Sequence, residues 1–112
     1  MSATAHDMSQ HWRLVSAEAA NDTHRVYGTW WATREYIKAV DVTIWSNEMR
    51  CGWVFYSNSL TAFIESDGSV CIPKHMVRGT TDAHQFAAEE AWELLLSVVQ
   101  AVADMAWIGA EA

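Results

Sequence analysis

Residues 36–72 read YIKAVDVTIW-SNEMR-CGWVFY-SNS-LTAFIE-SDGS-VCI, and this stretch decides the fold. Extended chain places successive side chains on opposite faces. Strict alternation in Tyr36–Trp45 puts Tyr36, Lys38, Val40, Val42 and Ile44 on one face and Ile37, Ala39, Asp41, Thr43 and Trp45 on the other. Cys51–Tyr56 alternates in the same way, and Leu60–Glu65 follows as a third strand. β-Branched and aromatic side chains dominate these runs, which suits a pleated, half-buried surface. Between them stand Ser46-Asn47-Glu48, Ser57-Asn58-Ser59 and Asp67-Gly68. The last is a strong short-range hairpin signal, leading into Val70-Cys71-Ile72. Pro73 ends that strand because it has no N–H to give a ladder.

Upstream, Val26–Trp31 is rich in strand formers and reads as a strand or a strand-like lead-in. Met8, Trp12, Val15 and Ala19 recur at helical spacing, which predicts a short amphipathic helix over Ser9–Ala20, closed by the loop Asn21-Asp22-Thr23. Downstream, Thr81 or Asp82 is placed to cap a helix, nothing interrupts it before Ile108, and Gly109 is a natural stop. The expected fold is therefore α+β in one domain over residues 1–112. It has an N-terminal helical segment (1–24), an antiparallel sheet of three or four strands (25–78) and one long C-terminal helix (80–109).

Around that last helix Glu89, Glu93, Ser97, Gln100 and Asp104 form one polar stripe. Two apolar rows flank it: Ala88, Trp92, Leu95, Val99, Val102 and Ala106, and Ala87, Ala91, Leu94, Val98, Ala101, Met105 and Ile108. A surface helix ordinarily has one apolar stripe. The second row is expected either to receive the N-terminal helix or to meet a partner, with Leu94, Val98 and Met105 as its contacts.

The 112 residues carry a formal charge of −7 and seven tryptophans. Residues 1–78 hold seven Lys/Arg against eight Asp/Glu, whereas residues 79–112 hold six Asp/Glu and no Lys or Arg. This charge argues against a nucleic-acid or anionic-membrane partner. So many indole rings exceed what one core of this size encloses, so Trp30 and Trp31, with Tyr27, are expected to be exposed as a contact cluster. Leu94–Ile108 is too short and too interrupted to span a bilayer. No signal-peptide pattern opens the chain, so a cytoplasmic protein with reduced thiols is expected.

No motif for catalysis, metal binding or phosphate binding is present. His6 and His11 are five apart, the wrong interval for two ligands on one helix face. His75, Asp82 and His84 lack an accompanying nucleophile. Glu89, Glu90 and Glu93, with Asp104, read as a solvated acidic face. Cys51 and Cys71 are expected to be buried and inert.

The run Phe86-Ala87-Ala88-Glu89-Glu90-Ala91 with Ala106-Trp107-Ile108, preceded by Gly52-Trp53, resembles the ending of many small proteobacterial domains of unknown function. That resemblance implies a β-then-α domain and no activity. Gly79-Thr80 with Glu90-Ala91 is similar to the helix start of HicB-type antitoxins, a partly degraded ribonuclease-H-like fold. Here the spacing is longer and the Pro-rich segment before it is reduced to Pro73. The resulting expectation is a small bacterial or phage accessory protein, non-catalytic and without cofactor or metal, that binds another protein or a second copy of itself. A HicB-like antitoxin domain and an acidic nucleic-acid mimic acting on a nuclease are the alternatives.

Overall fold

Strand β3 (Tyr36–Ser46), eleven residues long, is the spine of the sheet. The computed structural model describes residues 12–57 and 59–107. Around β3 lie β1 (Arg13–Ala20), β2 (His24–Ala32), β4 (Cys51–Tyr56), β5 (Thr61–Ile64) and β6 (Val70–Cys71). A 3₁₀ turn (Lys74–Met76) leads to α1 (Asp82–Glu90) and α2 (Trp92–Trp107). The strand order is β1-β2-β3-β5-β6, with β4 also on β3 and every pairing antiparallel. The class is α+β as the sequence implies, with six strands where three or four are expected.

One edge of β3 pairs with β2 along nearly its whole length. The other edge is divided, Asp41–Ser46 facing β4 and Tyr36–Lys38 facing β5. The division falls at a bulge: Thr29 pairs with Asp41 and Trp30 with Ala39, so Val40 is the extra residue. The bulge corrects the strict alternation. Ile37 and Ala39 share the buried face with Val42 and Ile44, because one inserted residue reverses the phase between the two halves of the strand. Gly28, at φ 155°, pairs with Val42 just beyond the bulge, and a Cβ there would collide with the Asp41 carbonyl oxygen.

The expected N-terminal helix is strand β1 over Arg13–Ala20; its first residues, 9–11, lie outside the described chain. Val15, Ala17 and Ala19 pack toward the core, while Leu14, Ser16 and Glu18 alternate outward. Three small alanines disguise that period, and the long β2 supplies a partner edge through eight paired residues. The β1–β2 turn is fixed by Asn21, whose Oδ1 accepts from the Thr23 N–H, the Thr23 hydroxyl and the His24 N–H. At the other end the Asp67-Gly68 turn forms as its sequence implies, with Gly68 at φ 89° and Asp67 accepting from the Ser69 N–H and hydroxyl. Those two bonds hold the Asp67 carboxyl below its ordinary value, the Ser69 hydroxyl contributing most.

Thr81 caps α1 by accepting from the His84 N–H. The single long helix expected is two helices. Ala91, at φ −99° and ψ 20°, interrupts the run, though its N–H still reaches Ala87 O and its carbonyl still accepts from Leu95 N–H. Each piece lies over different strands, α1 over β3 and β4 and α2 chiefly over β1, β2 and β6. One straight helix lies along a single line, so the twisted sheet is covered in two segments. Gln100 ties α2 to the β5–β6 turn, its Oε1 accepting from Val70 N–H and its Nε2 donating to Gly68 O and Asp104.

Both helices face the same side of the sheet. Trp30, Phe55, Ile37, Ile44, Leu60 and Val26 meet Ala87, Ala88, Leu95, Val98, Val99 and Val102 in one core. Leu94 and Val98 are 9% and 1% exposed, so these two contacts expected for a partner are covered by the chain's own sheet, whereas Met105 in the same row stays exposed and Ile108 lies outside the described residues. A sheet of six strands is wide enough to bury most of both apolar rows among the described residues. Val98→Asp should therefore unfold the domain, costing on the order of 4 kcal/mol or more because it buries an unpaired charge. A chemical denaturation curve checks this, and a native-like midpoint would show the row to be surface.

Candidate functional site

Two helices cover one face of the sheet, and the described residues leave the other face open, as antiparallel sheets allow. On the open face Leu14, Trp31 and Lys38 are cross-strand neighbours, followed by Thr61 on β5. Beside them Trp12 lies 5.8 Å from Tyr36, and Tyr36 lies 6.0 Å edge-on to Phe63, centroid to centroid. The Lys38 ammonium stands over both the Trp12 ring (5.3 Å) and the Tyr36 ring (5.9 Å). The result is a strip of aromatic and aliphatic surface with the Lys38 ammonium at its centre.

Lys38 also divides two shallow clefts. One, of about 230 Å³, is lined by Trp12, Trp31, Lys38 and Ser57. The other, of about 330 Å³, is lined by Tyr36, Lys38, Thr61, Phe63, Met76 and Arg78. Leu14, Trp31, Tyr56 and Phe63 are the large apolar side chains exposed on this face.

The expected contact cluster of Tyr27, Trp30 and Trp31 is split by the pleat. Trp31 is 38% exposed on the open face, whereas Trp30 is fully buried beneath the helices. Adjacent residues of a strand point opposite ways, so a Trp-Trp pair in a one-sided sheet has one ring in and one out. Tyr27 is on the open face, half-buried under the Arg25 guanidinium at 4.5 Å, and Arg25 is itself paired with Glu18 at 2.9 Å. Met105, 44% exposed, lines with Tyr27 one cleft of about 610 Å³ that also takes in Ser16, Glu18 and Ala101. Leu94 and Val98 belong to the core. Lys38 carries no motif and pairing register brings it beside Trp31, while Trp12 joins them from just ahead of β1.

The acidic residues Glu89, Glu90, Glu93 and Asp104, with Asp82, are all exposed on the helix layer. His84 shares a 2.8 Å hydrogen bond with the Thr81 hydroxyl and packs edge-on to Phe55, so it serves the helix start. His75 is exposed on the 3₁₀ turn, and His6 and His11 lie outside the described residues. Among the described residues no three His, Cys, Asp or Glu side chains stand close enough to hold a metal ion. No described helix is long and apolar enough to cross a membrane. The thiols differ from expectation, Cys51 being half-buried and Cys71 exposed beside Phe63. No family model matches the chain, and no curated protein or solved structure gives a significant match.

This geometry makes the two thiols and the two neighbouring indoles behave differently. A maleimide should label Cys71 in the native state well before Cys51, as mass spectrometry of a time course will show; equal rates would mean that β6 does not hold its place. Trp30→Ala should cost about 3–5 kcal/mol of stability and Trp31→Ala under about 1 kcal/mol, read as denaturation midpoints.

Proposed function

We propose that this chain is a non-catalytic protein-binding module whose open sheet face meets its partner. The observation that carries this reading is the strip Leu14–Trp31–Lys38 with Trp12–Tyr36–Phe63, large apolar surface that the chain's own helices leave uncovered. Aromatic rings held on strands contribute contact area at little entropic cost, and such residues are enriched at interface centres. Lys38 sets the chemistry of the occupant: a partner segment that is apolar with one carboxylate placed to meet the ammonium.

Affinity capture from the source organism with quantitative mass spectrometry tests this. Wild-type protein should enrich one partner, and Trp31→Asp with Phe63→Asp should lose it while the melting midpoint stays near that of wild type. Lys38→Gln should weaken capture and blunt its dependence on salt. Capture unchanged by the double variant, or no partner at all, would refute the reading.

A second reading is favoured by the helix layer, where five carboxylates stand exposed over residues 82–104 with no Lys or Arg among residues 79–107. Such a face is suited to imitate a nucleic-acid backbone toward a nuclease. Capture of a nuclease that DNA displaces and high salt releases, with the open-face variants unaffected, would establish it in place of the first.

A further inference from the structure

At the end of the sheet, on the helix side, the β1–β2 turn, the β3–β4 turn and the last turn of α1 enclose a cleft of about 710 Å³. Its two turn walls are tied together, the Asn47 side chain donating to Asp22 O (3.1 Å) and its N–H to Thr23 O (2.9 Å). Inside it lies His24, 6% exposed, whose Nε2 is fully buried with no hydrogen-bond partner and stands 3.6 Å from Glu90 Oε1.

The surrounding hydrogen bonds fix the tautomer of that ring. Asn21 Oδ1 accepts from two backbone N–H groups, so it is an oxygen, and the Thr23 hydroxyl must donate its proton to it. The Thr23 oxygen is then left to accept at 2.9 Å from His24 Nδ1, which therefore carries the hydrogen. In the neutral ring Nε2 is a bare lone pair, and it faces a carboxylate oxygen. With the ring neutral, a buried acceptor faces a carboxylate oxygen and no described group donates to it, so a donor placed there gains two acceptors at once.

The rest of the cleft says which donor fits. Asp22, Glu48 and Glu90 line it and, among the described residues, no Lys or Arg does. Phe86 and Met49, 61% and 63% exposed, also line it and offer apolar surface to an alkyl stem and, at the Phe86 ring, a face to a cation. We infer that this cleft is a binding site for one lysine or arginine side chain of a partner protein, its N–H groups bridging His24 Nε2 and Glu90. The inference rests on the protein-binding reading for the source of that side chain, but the cleft and the open face lie on opposite sides of the sheet.

NMR of the labelled full chain tests it, with N-acetyl-arginine methylamide and N-acetyl-lysine methylamide as probes and N-acetyl-norleucine methylamide as the uncharged control. At about pH 7.5 the His24 ring should carry a hydrogen on Nδ1, bonded to the Thr23 hydroxyl oxygen. Either cationic probe should shift the His24 and Phe86 ring signals saturably, with a midpoint in the millimolar range expected of a single side chain. Glu90→Gln, at an exposed position, should keep the native spectrum and weaken binding about tenfold. The norleucine probe should shift neither ring.

Three results would overturn the inference: an imidazolium already bonded to Glu90 at that pH, shifts that never saturate, or equal binding by Glu90→Gln. The arginine probe should still bind Trp31→Asp/Phe63→Asp protein. Failure of the open-face reading is therefore seen in capture, and failure of this site in the titration.

Discussion

Three strands depend on the backbone of one. β3 pairs with β2 on one edge and with β4 and β5 in succession on the other, and no described strand besides it has three partners. The bulge at Val40 makes that sharing work, because it bends β3 where one partner leaves and the next arrives. Ala39 N–H reaches Leu60 O at that junction, so the ladder passes to the β5 side directly. Gly28 has its cause in the same place, since the neighbouring strand must approach more closely than any side chain permits. The one-sided core has it too: the change of phase at Val40 is what puts Ile37, Ala39, Val42 and Ile44 under the helices together.

Much of this was legible in the sequence wherever local chemistry names its own structure. The Asp67-Gly68 turn, the Thr81 cap and the strand runs of 24–72 carry propensity, period and turn residues that agree. β1 was hidden because alanine fits helix and strand alike, and only the edge of β2 decides between them. The break at Ala91 was hidden because nothing in Glu90-Ala91-Trp92 forbids a helix; only the packing of the two pieces over different strands displays it. The same holds for the second apolar row, which looks like a spare surface until the sheet is six strands wide.

The candidate sites show the limit more sharply. The tryptophan excess pointed to a contact surface, yet Trp30 and Trp31 are neighbours in sequence and on opposite faces in the fold. Lys38 gains meaning only from cross-strand register, and Trp12 only from its ring contacts with Lys38 and Tyr36. His24 sits in a strand without any motif, and its environment depends on a turn residue three positions earlier and a helix residue sixty-six positions later. Long-range geometry of this kind leaves no periodic trace in one chain.

Among the described residues the charges are sorted between the two layers. The sheet and its connections hold all seven Lys/Arg against an equal number of carboxylates, while the helices hold five carboxylates and no cation. The described residues therefore form an electric dipole along the axis that joins the two layers. In the field of a charged neighbour it turns before it touches, so its first encounters are already oriented. Which layer leads depends on the sign of that neighbour, and the preference fades once the two are separated by more than a screening length of salt.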